Sequence, residues 1–205
     1  MTESAPDLDV VVLGGGGHVG LPLSLAFADA GLRVGIYDTN QATLDRIASG
    51  EMPFMENGAD ELLTRVLATG RLAFGSDGSM IERTENLVVV IGTPVDEFLG
   101  PSMTIFEKTV DQISPHLRDG ALVALRSTVY PGTTGYVAQL LASRGTRVDV
   151  AFCPERIAEG HALEELHSLP QTARRRSSTC SSPTRSARAA RKPSSPSCSR
   201  TPGAT

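Results

Sequence analysis

The sequence lacks most of what would mark a secreted, membrane-spanning or metal-holding protein. Only three of its 205 residues are cysteine, at positions 153, 180 and 198, and their spacing matches neither a zinc site nor a disulfide framework. His161 and His167 have no partners at metal-ligand spacing and read as surface residues. No apolar run reaches the 18 or so residues of a membrane-spanning helix. The N-terminus, MTESAPDLD, is acidic and polar, unlike a signal peptide. These absences point to a reducing cytoplasm with no membrane. One further absence is local. From Thr172 onward there is no Val, Ile, Leu, Met, Phe, Tyr, Asp or Glu. Such a segment cannot bury enough apolar surface to offset ordering entropy, so disorder is expected over 172–205.

That absence splits the charge. Residues 1–171 carry 11 Lys and Arg against all 23 Asp and Glu; residues 172–205 carry the other 8 basic residues and no acid. A genuine basic arm would suit nucleic acid, acidic lipid or a partner. The alternative is text read out of frame from a GC-rich gene, which yields Arg, Ser, Pro, Ala and Thr in bulk. The composition favours the second, which makes nucleic-acid binding an unneeded role.

What is present is organised around Val10–Asn40. The apolar run Val10–Leu13 ends in four glycines, and Gly15-Gly16-Gly17-His18-Val19-Gly20 fits G-x-G-x-x-G. The spacing has a physical cause. Gly15 allows a sharp turn out of a strand, Gly17 allows a pyrophosphate to approach the backbone, and Gly20 allows a helix to pack close. The phosphates would sit on free N–H groups at the positive end of the helix dipole. Asp38 follows Gly20 by 18 residues, at the end of a second apolar run, where a carboxylate can accept both ribose hydroxyls. It would repel a 2′-phosphate, which favours NAD over NADP. The rival reading is a glycine-rich turn without a ligand. His18 at a variable loop position reads as packing near the pyrophosphate rather than as an acid or base.

Strands and helices alternate beyond this point. Strands are expected at Arg33–Tyr37, Leu72–Phe74, Leu87–Ile91, Leu122–Leu125 and Val148–Phe152. Helices are expected at Gly20–Ala30, Gln41–Ala48 with Asn40 as N-cap, Asp60–Leu67, Phe106–Leu117 and Gly132–Ser143, with a single turn at Ser79–Arg83. The continuous β-branched run at Leu87–Ile91 reads as a central strand buried on both faces. The fold class is α/β: a Rossmann-like parallel sheet with helices on both faces over residues 8–171, then the basic tail. Ligands of such sheets lie at the carboxyl ends of strands. The glycine loop, Asp38, Thr93-Pro94, Ser127-Thr128 and Pro154-Glu155 all fall there.

The segments GGGGHVGLPL, EMPFMENGADELL, GRL, IGTPVDE, RSTVYPGTT and FCPERIAEG occur in an order and spacing that resembles the N-terminal NAD-binding domain of the UDP-glucose/GDP-mannose dehydrogenase family. CPERIAEG followed by ALEELHSLPQ looks closest to the UDP-N-acetylmannosamine dehydrogenase branch. The resemblance implies oxidation of a UDP-sugar C6 alcohol to a carboxylate with two NAD. A cysteine captures the aldehyde and water cleaves the thioester. By matched position, Gly15, Gly16, Gly17, His18, Val19, Gly20 and Asp38 would hold NAD, and Thr93 and Pro94 would lie against it. Thr128 would contact the cofactor region and position a water. Glu155 and Glu159 would belong to the catalytic segment.

Each role has a structural rival. Pro94 and Pro131 can simply end strands. Thr128 can cap the next helix. Glu155 and Glu159, four apart, can form a solvated face. Cys153 reads as filler at a strand end, not as the nucleophile. One departure from the family is Thr43, which stands where some members carry an Arg near the adenosine. The resemblance also implies that the dimerising helix, the nucleophilic cysteine and the sugar-nucleotide-binding domain have no counterpart in this text, so the chain is expected to be a non-catalytic fragment. The alternative is a non-enzymatic NAD-binding or nucleotide-sensing module. The retention of RSTVYPGTT and CPERIAEG argues against it.

Overall fold

In the computed structural model, residues 5–92, 103–154, 160–168 and 174–177 are described. A seven-stranded sheet has the order β3-β2-β1-β4-β5-β6-β7. Its strands are β1 (Val10–Leu13), β2 (Val34–Tyr37), β3 (Leu72–Gly75), β4 (Asn86–Val89), β5 (Leu122–Leu125), β6 (Asp149–Phe152) and β7 (Arg174–Ser177). β1 to β6 are all parallel; β7 runs antiparallel to β6. The helices are α1 (Gly20–Asp29), α2 (Gln41–Ala48), α3 (Ala59–Leu67), α4 (Met103–Ile113), α5 (Thr133–Ser143) and α6 (Ala162–Ser168).

Alternation along β1 builds the two layers. Val10 and Val12 join a core with Leu21 and Leu25 of α1, Leu44 and Ile47 of α2, and Leu63 and Val66 of α3. Val11 and Leu13 face the other way, into a core with Phe106 and Val110 of α4 and Val137 and Leu141 of α5. Successive strand side chains point to opposite faces, so burial on both faces requires an unbroken apolar run. Gly35 of β2 pairs with Val11, and a Cβ there would lie 2.8 Å from a Val11 methyl and 2.9 Å from Met80 Sδ.

Local signals fix several bounds directly. Asn40 Oδ1 accepts the Thr43 N–H at 3.2 Å, which caps α2 as its side-chain chemistry predicts. Gly31, at φ +100°, ends α1. Elsewhere the structure differs from expectation. β4 stops at Val89 because the Ile91 amide leaves the ladder and donates to the Ser127 hydroxyl at 2.8 Å. β4 is also not sealed on both faces: Leu87 and Val89 are buried, whereas Val88 and Val90 are half-buried against the α1 side. α4 starts at Met103, where Met103 and Ile105 still pack on the core, and gives way after Ile113 to a 3₁₀ turn containing Pro115. α6, in ALEELHS, was not expected as an element.

The expectation of disorder from 172 is corrected at Arg174–Ser177, which pairs with β6 from Phe152↔Arg174 to Asp149↔Ser177. A backbone ladder needs no apolar side chains, and the partner otherwise would carry a row of unpaired N–H and C=O groups.

Candidate functional site

The glycine loop is built by close approach. Gly14 has φ +78°, and a Cβ on it would lie 1.9 Å from Val90 O. The left-handed residue is thus Gly14, one position before the Gly15 expected to make the turn. Gly15 and Gly16 instead form the centre of a β-turn closed by Gly17 N–H to Gly14 O at 3.2 Å. Gly15 is needed for contact, since its Cβ would meet Val12 O at 2.7 Å. At Gly20 a Cβ would fall 2.2 Å from Gly14 O, so α1 begins directly against the loop backbone. Gly17 differs from these: its nearest neighbour would be Gly14 O at 3.5 Å, which leaves its side open.

The amides of Gly14 and Gly15 both donate to Tyr37 O, at 2.8 and 3.1 Å, and Leu21 N–H donates to Gly17 O. His18, Val19 and Gly20 are left with no acceptor for their N–H groups among the described residues. These are the orphan donors of a helix start, at the positive end of its dipole. Val19 precedes α1 and offers no side-chain cap.

Asp38 closes the other side of the loop. Its Oδ2 accepts Gly16 N–H at 3.0 Å and its Oδ1 accepts Asn40 N–H at 3.0 Å. The carboxylate is half-buried and keeps further lone pairs for two hydroxyls. A cleft of about 140 Å³ opens beside it, walled by Leu13, Tyr37, Thr39, Ile91, Thr109 and Gln112. Gln112 Nε2 donates to the buried Tyr37 hydroxyl, fixing α4 over the end of β2. Thr43, in the first turn of α2, would put its methyl 3.1 Å from a Cβ on Gly16, so it packs on the loop rather than reaching into the cleft.

The strand ends are also tied to one another. Val90 N–H donates to Leu13 O at 2.9 Å. Ser127 Oγ accepts Ile91 N–H at 2.8 Å and donates to Ile91 O at 2.6 Å, joining the ends of β4 and β5. Arg126 Nη1 donates to Cys153 Sγ at 3.1 Å, joining β5 and β6. Cys153 is half-buried and unbridged, so it does more than fill space.

Thr128 follows Ser127 and is exposed. It does not cap α5, because that helix starts at Thr133 behind Gly132, which sits at φ +95°. The structure therefore brings Gly15, Gly16, Gly17, His18, Val19, Gly20 and Asp38 into one loop, and places Thr128 at a neighbouring strand end. Thr93, Pro94, Glu155 and Glu159 lie outside the described residues. His161 is exposed, 3.9 Å from Glu164. Among the described residues no group of three or more His, Cys, Asp or Glu could hold a metal ion, and no helix is long and apolar enough to cross a membrane.

Two contacts were not visible in the sequence. The His18 ring stacks on Phe54, centroids 4.0 Å apart and planes 27° from parallel. Gln112 and Thr109 sit beside the apolar stripe of α4, and nothing in their spacing distinguished them from other surface polar residues.

Comparison with known proteins agrees with this geometry. The model of the UDP-glucose/GDP-mannose dehydrogenase family, NAD binding domain, matches residues 9–173. A UDP-N-acetyl-D-mannosamine dehydrogenase of Pyrococcus horikoshii is 30% identical over 155 residues, covering 73% of this chain and 37% of that protein. A UDP-glucose 6-dehydrogenase of Rickettsia bellii is 28% identical over 153 residues, covering 74% and 35%. The solved ternary complex of GDP-mannose dehydrogenase from Pseudomonas aeruginosa superposes with a TM-score of 0.73 at 25% identity, covering 78% of this chain and 38% of that one. The chain thus spans little more than a third of the length of the curated relatives it matches.

Proposed function

This chain belongs to the UDP-glucose/GDP-mannose dehydrogenase family through its NAD-binding domain, and from that we propose that it forms the cofactor-holding part of a nucleotide-sugar 6-dehydrogenase. NAD is its cofactor. The reaction served is oxidation of a UDP-sugar C6 alcohol to a carboxylate, with two NAD reduced. The observation that carries the reading is the Asp38 carboxylate bonded to Gly16 N–H beside three amides that lack acceptors. Those amides suit a diphosphate, and the carboxylate suits a ribose diol while repelling a 2′-phosphate.

The roles of the chain's own residues follow. His18, Val19 and Gly20 bind the diphosphate through backbone N–H groups. Gly17 leaves room for it to approach. Asp38 orients the adenosine ribose, and the Thr109–Gln112 wall flanks the adenine side of the cleft. When bound, NAD supplies the hydride acceptor. Thr93 and Pro94 lie against the cofactor, Thr128 positions a water, and Glu155 and Glu159 serve the water and thioester chemistry. The nucleophilic cysteine and the grip on the sugar nucleotide belong to the portion of the relatives that this chain does not match, so the chain alone binds NAD and turns over no nucleotide sugar.

Titration of the purified chain with NAD and NADP tests the cofactor site. We expect saturable NAD binding and NADP binding weaker by about tenfold or more. Equal affinity, or no binding of either, overturns it. NADH formation on adding UDP-N-acetylmannosamine or UDP-glucose would overturn the non-catalytic assignment and leave the cofactor site standing.

A further inference from the structure

Glu56 has no part in the chemistry above, yet its side chain is buried, with 6% of the residue exposed. It lies on the loop between α2 and α3, which is anchored at three places. Met52 is buried in the core beneath α1, α2 and α3. Phe54 packs against that core and stacks on His18 of the glycine loop. Glu56 reaches a part of the chain more than 100 positions later. Its Oε2 accepts Gly160 N–H at 3.0 Å, and its Oε1 accepts Leu163 N–H at 3.4 Å. Asn57 N–H donates back to Gly160 O at 3.4 Å.

A carboxylate is costly to bury unless its oxygens are bonded, and here each oxygen meets one amide. Leu163 stands in the first turn of α6, where N–H groups have no partner within the helix. Capping is ordinarily local, from a Ser, Thr, Asp or Asn just ahead of the helix. Here the residue ahead is His161, and the acceptor comes from a remote loop. A local cap would stabilise α6 wherever it lay. A remote one also fixes where α6 begins relative to the glycine loop. Ala162 is buried and Leu163 packs on the same core as Met52 and Phe54, so the start of α6 is held on both sides.

We infer that Glu56 is a positioning residue: its carboxylate fixes the chain at Gly160 and, through Phe54 and His18, ties that point to the diphosphate-binding loop. Gly160 directly follows Glu159, so this rests on the proposed function for its catalytic meaning. Cofactor seated on the His18, Val19 and Gly20 amides is then linked by one loop to the return point of the segment carrying Glu155 and Glu159.

Residue-resolved amide exchange on the full 205-residue chain tests this, in wild type, E56A, E56Q and F54A, with and without NAD. Without NAD, E56A should speed exchange at Gly160 and Leu163 by about tenfold or more and leave β1 and β4 unchanged. E56Q, which keeps one acceptor, should recover part of the protection. NAD should slow exchange in wild type at His18–Gly20 and also at Gly160 and Leu163. E56A and F54A should keep the first effect and lose the second. Unchanged exchange at both amides in E56A, or an NAD effect at Gly160 that survives both substitutions, overturns the inference. If E56A unfolds globally, E56Q decides, since it must act at those two amides alone. If NAD slows nothing in wild type, the cofactor reading fails and the ligand-free comparison still decides the role of Glu56.

Discussion

The two ends of the sheet use similar polar groups to opposite effect. At the amino ends, Asp9 pairs with Arg33 ahead of β1 and β2, Asp7 with Arg83 ahead of β4, and Asp119 with Arg147 ahead of β5 and β6. All six side chains are more than a third exposed. At the carboxyl ends, Asp38, Ser127, Arg126 and Glu56 are buried or half-buried, and each bonds a specific group on another strand or loop. Water competes for the first set and not for the second, so charge at the amino ends contributes little while each carboxyl-end bond holds geometry. Hollow size misleads here. The larger one, about 470 Å³, lies at the amino ends beside Phe27, Leu32 and Arg33, whereas the chemistry gathers around the smaller cleft.

The strongest test of this contrast is the glycine loop. Gly20→Ala places a Cβ 2.2 Å from Gly14 O, a backbone atom that cannot yield without moving β1 or α1. Destabilisation of about 2–4 kcal/mol is expected, with NAD binding lost in whatever protein remains folded. Thermal unfolding and NAD titration measure both. A stable, NAD-binding Gly20→Ala protein would mean that the loop is looser than its contacts indicate. Next in size is Asp38→Ala, which removes the acceptor for the ribose and for Gly16 N–H. The Kd for NAD should rise about 10- to 100-fold. Asp38→Asn separates charge from hydrogen bonding: it should narrow the preference for NAD over NADP while retaining most of the fold stability.

These residues also show what a sequence makes legible. β1, α2 and β5 match their expected bounds because the signals are local: an apolar run, an Asn cap, a Gly or Arg at the end. Asp38 could be found because its distance from Gly20 is set by one strand–helix–strand unit. Gly14, Ser127 and Glu56 could not, because each depends on a residue that the fold brings from far away. Val90 O makes Gly14 indispensable, and Ile91 lies 36 positions from Ser127. The pairing of an Arg-rich segment with β6 was equally invisible, since it uses backbone groups that composition does not report. Thr93, Pro94, Glu155 and Glu159 keep the roles that resemblance gave them and no more.

Ser127→Ala sharpens the comparison at intermediate size. It removes one hydroxyl that both accepts from and donates to Ile91, leaving two backbone groups at the end of β4 without that partner. A loss of about 1–3 kcal/mol is expected. NAD affinity should fall less than in Asp38→Ala, because Ser127 acts on the loop after β4 and not on the ribose. An Ser127→Ala protein as stable as wild type would show that the carboxyl-end ties are no stronger than the exposed pairs.

The smallest effect should come from Asp9→Asn. Arg33 donates to the Asp9 carboxylate through its side chain and its backbone N–H, and together they hold the carboxyl at about 2, below its ordinary 3.8. A carboxyl lowered on folding favours the folded state only while it is ionised. Its contribution is therefore complete above about pH 4 and disappears as the pH falls toward 2. Because the pair is open to solvent, that contribution is screened and small, and salt should shrink it further. Melting temperatures of wild type and Asp9→Asn should nearly coincide at pH 7, and should converge as acid protonates Asp9 in the wild type. If Asp9→Asn instead cost as much at pH 7 as Ser127→Ala, the division between the two ends of the sheet would fail, because an exposed pair would then hold the fold as firmly as a buried tie.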